Sequence, residues 1–224
     1  YGGSGTEQIQ YLLPTSNGGF YAAGWTSSVD GDVSFSHGMT DAWVFKADNS
    51  GNIIWEKTYG GSDWDGFSSM TFTSDNSIVL SGGTRSPEFN YRGGSSDVYV
   101  VKIDTVGNLI WENCYGGSGD DWSNSITEAS DSSLFFTGFS TSNDGDLTLN
   151  RGQIDMWIVK LSSPLQTKIH SIENSVVNLF AQICDGNLKV KFNSNKVEDV
   201  KINLYDVSGR RIITFNQWTQ IGEN

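Results

Sequence analysis

Gly51-Asn52-Ile53-Ile54-Trp55-Glu56-Lys57-Thr58-Tyr59-Gly60-Gly61-Ser62 returns as Gly107-Asn108-Leu109-Ile110-Trp111-Glu112-Asn113-Cys114-Tyr115-Gly116-Gly117-Ser118. The Tyr-Gly-Gly-Ser half also stands at Tyr1, so this marker falls at intervals of 58 and 56 residues. Working outward, a further marker reads Asp, any residue, an aromatic, two apolar residues, Lys. It occurs at Asp41 to Trp43 to Lys46, Asp97 to Tyr99 to Lys102, and Asp155 to Trp157 to Lys160. Several markers in fixed order define an internal repeat. The units are residues 1–58, 59–114 and 115–163, the last lacking the Gly-Asn-x-x-Trp segment because Leu161-Ser162-Ser163-Pro164 stands in its place.

The middle unit shows what one copy folds into. Phe67 to Thr73 alternates apolar and polar, Ser77 to Gly82 is a short apolar run, Val98 to Ile103 is β-branched and aromatic, and Asn108 to Cys114 carries Ile110 and Trp111. Asp75-Asn76-Ser77 suits a tight hairpin turn, and Asp104 to Asn108 a longer one with Gly107 in the left-handed position. Four strands in this span describe one blade of a β-propeller. The recurring Trp43, Tyr99 and Trp157, and Trp55 with Trp111, supply large flat surfaces for packing between adjacent sheets.

After the linker 164–175 the pattern changes. Alternation over 176–183, 187–193, 200–206 and 211–215, with turns at Asp185-Gly186-Asn187 and Val207-Ser208-Gly209, predicts a small Ig-like β-sandwich over residues 176–224. The fold class expected is therefore all-β: propeller-type blades followed by a β-sandwich module.

Composition narrows the function. Among 224 residues, 14 Lys and Arg face 26 Asp and Glu, a net charge of −12, which excludes the basic footprint of a nucleic-acid binder. No apolar run reaches the roughly 20 residues a membrane-spanning helix needs. Up to Ser163 there are 7 basic and 20 acidic residues, a balance of −13; from Pro164 on there are 7 and 6, a balance of +1. Fifteen of those 20 acids are Asp, a turn and cation-loop residue, so the charge sits in loops. Cys114 and Cys184 are too few for a disulfide framework or metal cluster and read as buried thiols.

Candidate chemistry is sparse. Asp30-Gly31-Asp32-Val33-Ser34 and Asp144-Gly145-Asp146-Leu147-Thr148 place oxygen donors on alternate residues around a glycine, a pattern suited to calcium. The candidate ligands are Asp30, Asp32, Ser34, Asp144, Asp146 and Thr148, with solvated turns as the alternative; the middle unit has Ser86-Pro87-Glu88-Phe89-Asn90 instead. Asp63, Asp65, Asp120 and Asp121 read as acidic turn residues, and Asp41, Asp97 and Asp155 as turn caps. Only His37 and His170 are available for a nucleophile–base arrangement, and no motif surrounds either. Acidic loops leave a paired-carboxylate glycosidase open without singling out a pair.

The repeat pattern YGGSxxD, a DGD-type loop, HG or RG, DxWVxK and GNIIWEKTYGGS resembles the propeller-like repeats of large secreted proteins of the Bacteroidota. Val200-Lys201-Ile202-Asn203-Leu204-Tyr205-Asp206-Val207-Ser208-Gly209-Arg210-Arg211-Ile212 resembles the middle of the type A C-terminal sorting domain of the type IX secretion system. Tyr205, Asp206, Gly209 and Arg210 carry the hairpin of that likeness. That family continues through a Gly-x-Tyr strand into a basic terminal strand, which would belong to a longer parent. The resemblance implies export across the outer membrane, with the secretion machinery as partner, followed by release or attachment to a surface glycolipid. The expectation is a non-catalytic secreted or cell-surface protein whose blades contact surface glycans or other proteins. The Gly51 to Trp55 segments are also similar to the signature of quinone-binding propellers, without their acid or calcium ligands. The alternatives are a fragment of a carbohydrate-active propeller enzyme and a periplasmic interaction propeller.

Overall fold

A computed structural model describes residues 1–161, apart from 90, 92, 148 and 149, together with the backbone of strands within 176–223. The chain divides into two compact units, Tyr1–Ser162 and Ser163–Asn224. The described residues are all-β; their only helical turn is Pro87–Phe89.

The first unit holds three antiparallel sheets. The first contains β1 (Glu7–Pro14), β2 (Phe20–Thr26), β3 (Asp41–Ala47) and β4 (Ile53–Tyr59) in that spatial order. The second contains β5 (Asp65–Phe72), β6 (Ile78–Thr84), β7 (Asp97–Ile103) and β8 (Leu109–Tyr115), again as a meander. The third contains β9 (Asp121–Glu128), β10 (Leu134–Ser140) and β11 (Asp155–Leu161). Four of these strands are those expected in the middle repeat, displaced by one or two residues at their ends. Gly107 has a φ of +84°, as its turn requires.

Equivalent positions follow from register. Trp43 pairs with Gly24, Tyr99 with Gly82 and Trp157 with Gly138. Each glycine also lies beside an irregularity in the first strand of its sheet, at Ile9/Tyr11, Phe67/Ser69 and Ser123/Ser125. A Cβ on Gly24, Gly82 or Gly138 would fall 1.8, 1.9 or 1.7 Å from a carbonyl oxygen of that strand. The bulge and the glycine are thus one device: the extra residue pushes the backbone inward, and only a residue without a side chain accepts it.

The strands alternate between two faces, and both faces of the second sheet are buried. Its rear face, with Phe67, Met70, Ile78, Leu80, Tyr99, Val101 and Ile103, packs on the leading face of the first sheet, where Tyr21, Ala23, Ala42 and Val44 lie with Trp55. Its leading face, with Val79, Val98 and Val100, packs on Ile126, Leu134, Phe136 and Trp157 of the third, with Trp111 and Tyr115 alongside. Small residues face large ones across the contact: a Cβ on Gly83 would lie 2.3 Å from the Trp122 ring. Trp43 lies instead on the rear of the first sheet with Phe45, whose ring is 4.7 Å from that of Tyr1.

In the second unit, β12 (Val176–Cys184), β13 (Asn187–Ser194) and β16 (Gly222–Glu223) form one sheet, and β14 (Asp199–Tyr205) pairs with β15 (Arg211–Trp218). Tyr205 ends β14 opposite Arg211. Asp206, Gly209 and Arg210, and the linker 164–175, lie outside the described residues.

Candidate functional site

The acidic residues of the repeat converge on the Tyr-Gly-Gly-Ser turns. Gly3 N donates to Glu7 Oε2 (3.2 Å), Gly61 N to Asp65 Oδ2 (2.8 Å), and Gly117 N to Asp121 Oδ2 (2.8 Å). The same carboxylates accept hydroxyls arriving from beyond the second strand: Ser28 onto Glu7, Ser86 onto Asp65 and Ser142 onto Asp121. Each unit therefore carries a carboxylate six residues after its Tyr that ties the turn to the strand-two exit.

The DGD loops add a second clasp. Gly2 N donates to Asp32 Oδ2 (3.0 Å) and Ser4 N to Asp30 Oδ1 (2.7 Å), while Asp32 N donates to the Gly2 carbonyl (2.9 Å). The third unit repeats this: Gly116 N to Asp146 Oδ2 (3.0 Å), Ser118 N to Asp144 Oδ1 (2.7 Å), and Asp146 N to the Gly116 carbonyl (2.9 Å). Gly31 and Gly145 lie at φ +70° and +69°, and a Cβ on Gly31 would sit 2.4 Å from the Gly2 carbonyl. In the second repeat, Ser62 N donates to Glu88 Oε2 (3.3 Å), so Glu88 takes the part of Asp30 and Asp144. The structure thus places Asp30, Asp32, Asp144 and Asp146 against backbone amides. Ser34 is apart from them, its hydroxyl donating to Glu56 Oε1. Thr148 lies outside the described residues. Among the described residues no group of three or more His, Cys, Asp or Glu side chains is arranged to hold a metal ion.

Burial makes the sheet junctions electrostatically distinct. Asp41 and Asp65 are fully buried, and each has an Oδ1 without a hydrogen-bond partner. Asp65 N donates to the Thr40 carbonyl (2.8 Å), which brings the two together. Burial pushes the Asp65 carboxyl above its ordinary range, with the Asp41 charge acting in the same direction against the hydrogen bonds from Thr84, Gly61 and Ser86. At Glu7, by contrast, burial raises the pKa, but hydrogen bonds from Ser28, Thr26 and Gly3 outweigh it and leave the group lowered. Asp41 Oδ2 accepts the His37 amide (2.9 Å) and Asp155 Oδ2 the Arg151 amide, so both cap the turn that enters the third strand.

Other recurring residues also serve the scaffold. Trp43 Nε1 donates to Glu56 (3.0 Å) and the Tyr99 hydroxyl to Glu112 (2.5 Å), which couples the aromatic marker to the Glu of the Gly-Asn-x-x-Trp-Glu segment. Lys102 and Lys160 reach the hairpin acids Asp75 (2.7 Å) and Asp131 (3.1 Å). Cys114 is half-buried, more open than a core thiol.

What these clasps leave exposed is the segment between strands two and three of the first sheet. There Val29, Phe35 and Met39 are 71, 60 and 73% exposed, and Phe35 meets the His37 ring edge-on at 4.8 Å. His37 also borders a shallow cleft of about 330 Å³ with Lys57, Thr58, Asn108, Leu109 and Glu112.

The sequence offered a signal for the Glu7, Asp65 and Asp121 clasp that reading Asp65 and Asp121 as acidic turn residues missed. Aligned on the Tyr of each marker, all three copies carry an acid at the seventh position, and a hydroxyl at Ser28, Ser86 and Ser142. Compared with known proteins, the chain matches no family model and no curated sequence.

Proposed function

We propose that this chain is a non-catalytic secreted or cell-surface scaffold. Its three sheets act as propeller-type blades, and residues 176–224 form a β-sandwich module that addresses the protein to the type IX secretion machinery. The observation that carries the scaffold reading is the bonding of the recurring acids. Glu7, Asp65 and Asp121, and Asp30, Asp144 and Glu88, bind backbone amides of their own units, where a catalytic pair would face open space. The clasped segment with Val29, Phe35 and Met39 then serves as a contact surface for glycans or proteins outside the cell. The export reading is supported by the Tyr205 to Arg211 likeness and by the pairing of β14 with β15 around it.

The test is to produce the full-length parent protein, and a form of it that ends at residue 163, in a host with that secretion system. Full-length parent at the surface or in the medium, with the shortened form retained in the periplasm, is the expected result. Equal export of both removes the targeting role.

A further inference from the structure

Each junction between described sheets buries two aspartates, one at the start of a third strand and one at the start of the next sheet. At the first junction these are Asp41 and Asp65, and at the second Asp97 and Asp121, none more than 1% exposed. The backbones meet in the same way at both: Asp65 N donates to the Thr40 carbonyl (2.8 Å) and Asp121 N to the Ser96 carbonyl (2.7 Å). The scaffold occupies Oδ2 of these acids. Asp65 Oδ2 takes the Gly61 amide and Ser86 hydroxyl, Asp121 Oδ2 the Gly117 amide and Ser142 hydroxyl, and Asp41 Oδ2 the His37 amide. Oδ1 of Asp41, Asp65 and Asp121 is buried without a hydrogen-bond partner. Glu7 shows that the clasp itself requires no such leftover: its Oε2 accepts the Gly3 amide and its Oε1 the Thr26 and Ser28 hydroxyls. Among the described residues, no Lys, Arg or His side chain forms an ion pair with Asp41, Asp65 or Asp121. A buried anionic oxygen with neither donor nor cation is costly, and here the same cost recurs at successive junctions.

The two acids of a junction are close enough to share one ion. A Cβ on Gly116 would lie 2.6 Å from Asp121 Oδ2 and 2.7 Å from Asp97 Oδ1, so those oxygens are no farther apart than the sum of the two distances. Two oxygens bound to one calcium ion at about 2.3–2.6 Å span up to about 5 Å. At the first junction the Asp41 charge acts on Asp65. We propose that each of these junctions binds one hard divalent cation, calcium by preference, between its paired aspartates: Asp41 with Asp65, and Asp97 with Asp121. The two carboxylates neutralise the ion, and backbone carbonyls and water complete its shell of roughly six to eight oxygens. The ion converts a repulsive contact into a bridge that fastens one sheet to the next. These sites are distinct from the DGD loops, whose carboxylates are occupied by backbone amides. With two carboxylates apiece their affinity falls in the range of extracellular calcium modules, on the order of 0.1–1 mM. This inference rests on the junction acids and is independent of the proposed export.

The test uses the full chain near neutral pH, stripped with a chelator and then titrated with calcium to about 10 mM, ten times the weaker expected Kd. Titration calorimetry is expected to give two ions per chain, and Tm is expected to rise with calcium, as binding to the folded state requires. Terbium, a luminescent substitute for calcium, is expected to be sensitised by Trp64 and Trp122, which precede and follow Asp65 and Asp121 directly in the sequence. Asp65→Asn and Asp121→Asn each lower the stoichiometry to one ion, and the double variant binds none. Asp30→Asn combined with Asp144→Asn leaves it at two. In chelator the Asp65→Asn and Asp121→Asn variants unfold no lower than the wild type, because a neutral amide relieves the repulsion; this separates a lost ion from a lost fold. Absence of binding up to that concentration overturns the proposal, as does binding that survives in the Asp65→Asn, Asp121→Asn double variant or disappears with the DGD variants. A Tm that ignores calcium but rises as the solution is acidified from neutrality identifies a proton as the occupant and overturns it likewise.

Discussion

Val100 and Ile158 occupy one register position in successive sheets, opposite Ser81 and Thr137, but among the described residues only Val100 has a neighbouring sheet on its face. Truncating each to Ala therefore separates the contribution of sheet-to-sheet packing from that of the strand itself. At Val100, which is 0% exposed, two methyl groups leave an apolar site. The lost transfer energy is about 1.6 kcal/mol at roughly 0.8 kcal/mol per carbon. The void adds up to about 1 kcal/mol for a residual cavity of some 40 Å³. The sum, about 2 to 2.5 kcal/mol, lowers Tm by roughly 4 to 10 °C for a unit of this size. At Ile158, 67% exposed, the removed carbons already face water, and the change stays below about 1 kcal/mol. Thermal unfolding followed by tryptophan fluorescence is the assay, since seven of the eight Trp residues precede residue 163. Equal losses at the two sites would refute the claim that sheet stacking, and not strand identity, buries this position.

Three further outcomes follow from the geometry. Gly82→Ala drives a Cβ to within 1.9 Å of the Gly66 carbonyl inside a bulge held by buried Phe67, and its penalty exceeds about 3 kcal/mol, read as loss of cooperative unfolding or of soluble protein. Asp65→Asn removes a buried carboxyl whose folded pKa is raised; wild-type stability therefore falls as pH rises from the unfolded value of 3.8 through the folded one. The Tm difference, variant minus wild type, grows from pH 4 toward neutrality, and a shrinking difference would contradict the burial argument. Asp75 behaves in the opposite sense: burial opposes ionisation, but Lys102 and Thr73 outweigh it and hold the pKa at about 2, so its stabilisation is present above 3.8 and is lost as pH falls toward 2. Lys102→Met flattens that acid limb.

How much of this was legible in the sequence depends on the range of the interaction involved. The strands and hairpins of the middle unit follow from period-2 patterning and from the turn chemistry of Asp104 to Asn108, all within a few residues of one another. Trp55 and Trp111 lie between sheets as their flat surfaces suggested. The DGD loops were harder, because alternate carboxylates describe donors without saying what they meet. Asp30 binds an amide 26 residues away, at Ser4, and Asp32 one 30 residues away, at Gly2. Trp43 differs from Tyr99 for a similar reason: among the described residues the rear face of the first sheet holds Tyr1 and Val33, where that of the second sheet meets the strands of the first. No local pattern tells which segment will cover a given face of a sheet.

The tyrosine that opens each marker also closes something. Tyr59 is the last residue of β4 in the first sheet, yet its hydroxyl donates to the Gly107 carbonyl of the second sheet at 2.8 Å; Tyr1 donates to Gly51 in the same way at 2.6 Å. The period written in the sequence is therefore out of phase with the period of the sheets, like bricks laid so that each joint is bridged by the next course. A gene segment copied from one tyrosine to the next carries a complete sheet together with the clasp that fastens it to its neighbour. Copies added or lost at that boundary join flush, and an array of this kind can change its length without redesign of any seam.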